Sequence, residues 1–109
     1  LLTIAKGELA AEALYYDAYF KNKDAKYEDS NKTVQKLAKD YSGYKYFGAK
    51  GLIVMAKNYY QLKDNFSATS ILDSVIKNFK EFEDVIAEAQ AELKVIKGEA
   101  AKTNSSLTE

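Results

Sequence analysis

The sequence predicts an all-α fold of five helices, and three observations predict it. Apolar residues recur at i, i+3, i+4 and i+7, the spacing of one helical face, along nearly the whole chain. No run alternates apolar and polar residues over the length of a strand, and helix formers dominate. The breaks between periodic stretches are short and carry residues that stop or start helices: Lys23-Asp24, Ser42-Gly43, Lys63-Asp64-Asn65 and Glu83-Asp84.

The first helix is expected at about 8–20, where Leu9, Ala13, Tyr16 and Phe20 share a face that Leu14 and Tyr15 widen. The second, at 28–41, aligns Ser30, Val34, Leu37, Ala38 and Tyr41. The third, at 44–63, aligns Leu52, Met55, Ala56 and Tyr59. Gly48 and Gly51 lie inside it at about 1 kcal/mol each relative to Ala, so a neighbouring helix, the second or fourth, is expected to cross there. The fourth, at 66–79, aligns Ala68, Ile71, Leu72, Val75, Ile76 and Phe79, and the fifth, at 84–100, has the narrower stripe Val85, Ala89, Leu93 and Ile96. Gly43 is expected to take a left-handed conformation after the second helix. Residues 101–109 lack periodicity and are expected to be a frayed or disordered tail.

Composition narrows the chemistry. The 109 residues contain no Cys, His, Trp, Pro or Arg, so all 16 cations are Lys, and they balance 16 acids. Thiolate and imidazole catalysis, disulfides, Cys/His metal sites and guanidinium forks are thereby excluded. An enzyme would have carboxylates, Lys, Tyr, Ser and Thr alone, and no segment reads as pocket-forming, so the expectation is no catalysis and no cofactor. Glu81, Glu83, Asp84 and Glu88 cluster at a helix start, where the dipole favours acids without any bound cation. Tyr occurs nine times. Tyr16, Tyr19, Tyr41 and Tyr59 are expected on core faces and Tyr44 and Tyr46 at a seam between hairpins.

The neutral total hides polarity. The stretch 21–63 holds ten Lys against four acids, whereas 81–100 holds two Lys against six acids. The basic middle and acidic end would orient a partner, or a second copy in a salt-sensitive self-association. Nucleic acid is disfavoured, because a Lys-only basic surface on a chain of pI near 6.5 lacks the usual footprint. The longest apolar run, Leu52-Ile53-Val54-Met55-Ala56, is far short of a membrane span, so no insertion is expected. The start at Leu1 reads as a piece of something longer.

Self-similarity organises the helices into hairpins. Tyr19-Phe20-Lys21-Asn22-Lys23-Asp24 is echoed by Tyr59-Tyr60-Gln61-Leu62-Lys63-Asp64, and the stretch from Val34 to Tyr41 by that from Leu72 to Phe79. The second echo follows its original at a spacing shorter by two than the first. The mismatch predicts two extra residues near Lys26-Tyr27-Glu28-Asp29. The units are a hairpin at about 8–42, a hairpin at about 44–80 and a closing helix at about 84–100, in one domain spanning 1–100.

Leu52, Met55, Ala56, Tyr59, Ala68, Leu72 and Val75 sit at the spacings of the tetratricopeptide repeat, and the chain resembles that family over roughly positions 8–100. The first unit fits more loosely: Tyr19, Ser30, Val34 and Leu37 match, while Glu12, Tyr15 and Tyr16 replace the expected residues. Lys80 and Lys63 replace the usual Pro and Gly. The resemblance implies a right-handed α-α superhelix of two hairpins with a C-terminal capping helix, whose groove is lined by the first helix of each unit and takes a peptide or protein segment. The residues it implies for partner binding are Asp17, Phe20, Lys21, Lys50, Ile53, Lys57, Tyr60 and Gln61, with Ala13 beside them. The family's clamp for C-terminal carboxylates is not expected, since Ala13, Asp17, Ile53 and Lys57 hold its places. A further likeness, to the C-terminal part of large bacterial cell-envelope tetratricopeptide proteins, implies a periplasmic or outer-membrane-associated location. Two alternatives to the scaffold stand beside it: a purely structural cap ending a longer solenoid, and a self-associating module.

Overall fold

Five α-helices follow one another in the computed structural model, which describes residues 6–108 and the side chains of 6–99. They are α1 (Lys6–Lys23), α2 (Tyr27–Asp40), α3 (Lys45–Gln61), α4 (Asn65–Asn78) and α5 (Glu83–Thr108). The fold is all-α, with no strand among the described residues. Each helix bound lies within three residues of its expected place except the last. The apolar stripe of α5 predicts a stop near position 100, but the segment expected to be a frayed tail is helical backbone as far as Thr108. Ala100 and Ala101 extend a helix at little cost, because adding a residue to an existing helix is far easier than nucleating one.

Both hairpins close on the same turn. Asp24 N–H donates to the Phe20 carbonyl (2.9 Å) and Lys26 N–H to that of Lys21 (2.8 Å). Leu62 N–H donates to Asn58 (2.9 Å) and Asp64 N–H to Tyr59 (2.8 Å) in the second hairpin. In each turn one residue takes a left-handed φ, Ala25 at 62° and Lys63 at 69°. The donors recur at one constant interval, 24 answering to 62 and 26 to 64. The same interval separates the bonds after α2 and α4, where Tyr41 bonds Leu37 and Phe79 bonds Val75. The expected two extra residues in the first unit are therefore corrected: there are none. The two Lys-Asp pairs that suggested them fall at different points of the turn. Lys63 takes the left-handed position, and its counterpart is Ala25, one residue after Asp24. In this register Leu14 and Ala18 hold the places of Leu52 and Ala56, and Lys21 that of Tyr59.

The turns do without glycine. No described Gly has a positive φ, so Gly43 does not provide the left-handed stop expected of it. Of the expected side-chain caps, Asp64 serves: its Oδ1 accepts from Ser67 N–H (3.0 Å) and its Oδ2 from the Ser67 hydroxyl (2.7 Å). Those two bonds hold its carboxyl below the usual range. α2 and α3 begin after Lys26 and Tyr44 with no side-chain cap.

The helices pack in sequence, and also first helix on first helix. α1 touches α2 and α3, α3 touches α2, α4 and α5, and α4 touches α5. No Cα atoms of α2 and α4 approach within 8 Å, and α1, α3 and α5 form one continuous row. Two apolar clusters fill the stack. Ala11, Tyr15, Ala18, Val34, Leu37, Val54 and Met55 join the first hairpin to α3. Ala49, Ile53, Ala56, Ala68, Leu72, Val75, Val85, Ala89 and Ile96 join the second hairpin to α5.

Gly51 is where α2 crosses α3, since a Cβ there would stand 3.0 Å from Leu37 Cδ2 and 3.4 Å from Val34 Cγ1. Gly48 meets nothing within 4 Å. It borders instead a cleft of about 240 Å³ whose other walls include Tyr41, Leu52 and Phe79.

Beside the crossing lies a buried polar cluster. Asn58 is fully buried; its Nδ2 donates to Ser30 Oγ and to Asn31 Oδ1 (2.8 Å each), and its Oδ1 accepts from Asn22 Nδ2 (2.8 Å). Ser30 Oγ in turn donates to the Ala18 carbonyl (2.7 Å). Three helices thus share one satisfied network.

Candidate functional site

The row formed by α1, α3 and α5 carries the charge pattern of the sequence in folded form. The register of the repeat aligns Glu12, Lys50 and Glu88, one on each helix and alternating in sign, and all three are half-buried. Lys50 Nζ lies 5.2 Å from the Tyr15 ring centroid and 5.7 Å from that of Tyr46, a cation between two π faces. Burial, and after it the Glu88 carboxylate, pushes the Tyr15 phenol up to about 12. Tyr46 donates its hydroxyl hydrogen to Asp84 Oδ2 at 2.6 Å and meets Phe82 edge-on, with centroids 5.4 Å apart. That bond raises the Tyr46 phenol and lowers the Asp84 carboxyl from their ordinary values. Tyr46, expected at a seam between hairpins, instead joins the second hairpin to α5.

Lys57 reaches across from α3 to α5, with Nζ 3.6 Å from Glu88 Oε2 and 3.7 Å from Glu92 Oε1. The basic middle and the acidic end therefore meet inside one chain. These are half-exposed pairs, worth at most about 1 kcal/mol each, and they bias the side-by-side packing of first helices more than they stabilise it.

The eight residues expected to bind a partner do not form one surface. Ile53 is 1% exposed in the core between α3, α4 and α5, so the expectation that it faces a ligand is corrected. Its counterpart Tyr15 is buried likewise. The cause is the neighbouring first helix, which covers a position that a single hairpin would leave open. Tyr60 is half-buried against the same core. Asp17 and Lys21 engage each other at 2.9 Å and both bond Thr33, with Lys21 Nζ donating to Thr33 Oγ1 at 2.9 Å and Thr33 Oγ1 donating to Asp17 Oδ2 at 3.2 Å. Lys21, chiefly through its hydrogen bond, holds the Asp17 carboxyl below the usual range.

Phe20 is exposed, but on a stripe with Tyr16, whose ring stacks on it with centroids 6.4 Å apart. In α3 that stripe faces α2, so Phe20 belongs to a different surface from Lys50, Lys57 and Gln61. Tyr16, expected in the core, is exposed with it. Gln61 is exposed at the end of α3. Sequence reasoning missed Tyr46, Asp84, Glu88 and Glu92 as members of the row. The segmental charge count was the available signal, and it lacked only the register that brings Lys57 beside Glu88 and Glu92.

Among the described residues no group of three or more acids is placed to hold a metal ion, and no helix is long and apolar enough to cross a membrane. Fold and row together define the class: an all-α stack of two helical hairpins and a fifth helix packed on the second. Compared with protein-family models, curated proteins and solved structures, the chain matches none.

Proposed function

We propose that the chain is a non-catalytic interaction scaffold that takes a peptide or protein segment along the row of first helices. The observation that carries the reading is Lys50 held between the Tyr15 and Tyr46 rings, beside Lys57 and the exposed Gln61. A Lys stem braced on the buried Tyr15 ring and the half-buried Tyr46 ring presents its ammonium at low entropic cost. The resemblance of Leu52, Met55, Ala56, Tyr59, Ala68, Leu72 and Val75 to the tetratricopeptide pattern supports the same use of this row. Acidic segments suit it best, since Lys57 can exchange its half-exposed Glu88 and Glu92 partners for a ligand carboxylate.

Panning a displayed peptide library on the native chain is expected to enrich acidic sequences. Replacing Lys50, Lys57 and Gln61 together by Ala should lower that enrichment by about tenfold or more. Equal enrichment on the variant would sink the reading. None of the three is buried, so the fold should survive, and an unchanged circular dichroism spectrum checks that.

A second reading, a closing cap for a helical stack, is favoured by the outer face of α5. Gln90 and Lys94 are exposed there, in the register positions where α1 and α3 place Leu14 and Ala18, and Leu52 and Ala56, against their own second helices. Restoring the apolar surface with Gln90→Leu and Lys94→Ala should make the chain associate as its concentration rises in sedimentation velocity. A variant that stays monomeric would remove the capping argument.

A further inference from the structure

The repeat assigns three residues to each position of a first helix, and among the described residues one face of α1 lacks the neighbour that the other two have. In α3 the stripe Phe47, Gly51, Val54 and Asn58 packs toward α2: Gly51 abuts Leu37 and Val34, Val54 shares their cluster, and Asn58 bonds Ser30 and Asn31. In α5 the corresponding Val85, Ala89 and Ile96 are buried in one cluster with Ala68, Leu72 and Val75 of α4, while Glu92, in the place of Val54, pairs with Lys57. In α1 the corresponding residues are Leu9 (48% exposed), Ala13 (exposed), Tyr16 (47%) and Phe20 (60%). On this stripe, large apolar side chains are exposed only in the helix with no second helix against it among the described residues.

We propose that this face of α1 is a docking surface for one further amphipathic helix of the α4 kind, set as α4 is set against α5. It rests on the second reading above, a stack that α5 closes, and names what packs at the opposite end, on α1. The chemistry of the occupant follows from the register. Phe20 stands where α5 has Ile96 and α3 has Asn58, so the facing helix carries small, largely apolar residues like Ala68 and Thr69 rather than the Ser30 and Asn31 that bond Asn58. Leu or Val must follow at the places of Leu72 and Val75 to cover Ala13 and Leu9. A second copy of the chain does not supply such a helix, because α3 already covers α2 and α5 covers α4. Continuity with two existing interfaces of the same register thus selects a second-type helix from another hairpin.

The test supplies that helix in register. Residues 1–5 are replaced by a copy of residues 44–81, so that a copied α4 and its linker precede Lys6 as α4 precedes Phe82. The fusion should unfold in urea in one transition, at a higher midpoint and with a steeper slope than the full chain. Tyr16→Lys with Phe20→Lys should then lower the unfolding equilibrium of the fusion by roughly tenfold or more while leaving that of the full chain unchanged. A separate transition for the added hairpin, an unchanged midpoint, or an equal effect of the two substitutions in both proteins would overturn the proposal. So would a dimer of the full chain that these substitutions dissociate, because the occupant would then be a second copy. Should the fusion aggregate, a synthetic peptide of residues 64–82 added to the full chain at about 1 mM should shift the NMR signals of Tyr16 and Phe20. No shift at those two residues overturns the proposal as well.

Discussion

Replacing Leu72 by Ala is expected to lower the free energy of unfolding by about 2–5 kcal/mol, read as a fall in the urea midpoint at unchanged slope. Leu72 is fully buried in the cluster that joins α3, α4 and α5, so truncation removes apolar contacts and leaves a cavity. Its surroundings cannot easily collapse, because Ala49, Ala56, Ala68 and Ala89 of the same cluster are already small and backbone-limited. Since domains of this size are stable by only about 5–15 kcal/mol, the loss should be visible as partial unfolding under mild heating. Leu62→Ala, at a residue 39% exposed beside the turn, serves as the control and should stay within about 0.5 kcal/mol. A Leu72→Ala loss no larger than the control's would mean that this cluster does not hold the second hairpin to α5.

The second large effect is expected at Asn58. Asn58→Leu keeps much of the volume but takes the donor from Ser30 Oγ and Asn31 Oδ1 and the acceptor from Asn22. Each buried polar group left unpaired costs about 1–3 kcal/mol, so a total of about 2–5 kcal/mol is expected. Asn22 turns to water most easily, being half-exposed; Asn31 is buried and cannot, and buried Ser30 keeps its bond to the Ala18 carbonyl but loses its donor. The second hairpin shows the apolar solution of the same joint, with Ala68, Thr69 and Ile96 in register with Ser30, Asn31 and Asn58. The triple replacement Ser30→Ala, Asn31→Thr, Asn58→Ile should therefore recover most of the stability that Asn58→Leu loses. A single substitution that costs nothing, or a triple one as unstable as the single, would show that hydrogen bonding is not what seats α3 on α2. The measurement is urea unfolding of all three proteins.

The same joint explains how far the sequence could be read. Helices are local: their periodicity follows from about 3.6 residues per turn and is written in each segment, so the five helices stand close to their expected bounds. Asn58, by contrast, shares its helix face with Gly51, Val54 and Met55 but is polar and stands in the sequence between Lys57 and Tyr59. Only the partners brought by α1 and α2 satisfy its amide and make it a core residue. Ile53 misled in the opposite direction, because a single hairpin would expose the position that α5 covers. The first turn misled through residue identity, since Lys-Asp recurs at a wider spacing than the left-handed position, which passes from Ala25 to Lys63.

Residue order suffices for the helices, their pairing into hairpins, the exclusion of thiol and imidazole chemistry, and the contrast between a basic middle and an acidic end. Tertiary structure alone decided the constant register of the two hairpins, the meeting of Lys57 with Glu88 and Glu92, the burial of Ile53 and Asn58, and the exposure of Tyr16 and Phe20. The physical reason is that a helix reports its own period, whereas what each of its faces meets depends on neighbours far along the chain. Two faces of identical pattern can be core or surface according to whether a second helix lies against them.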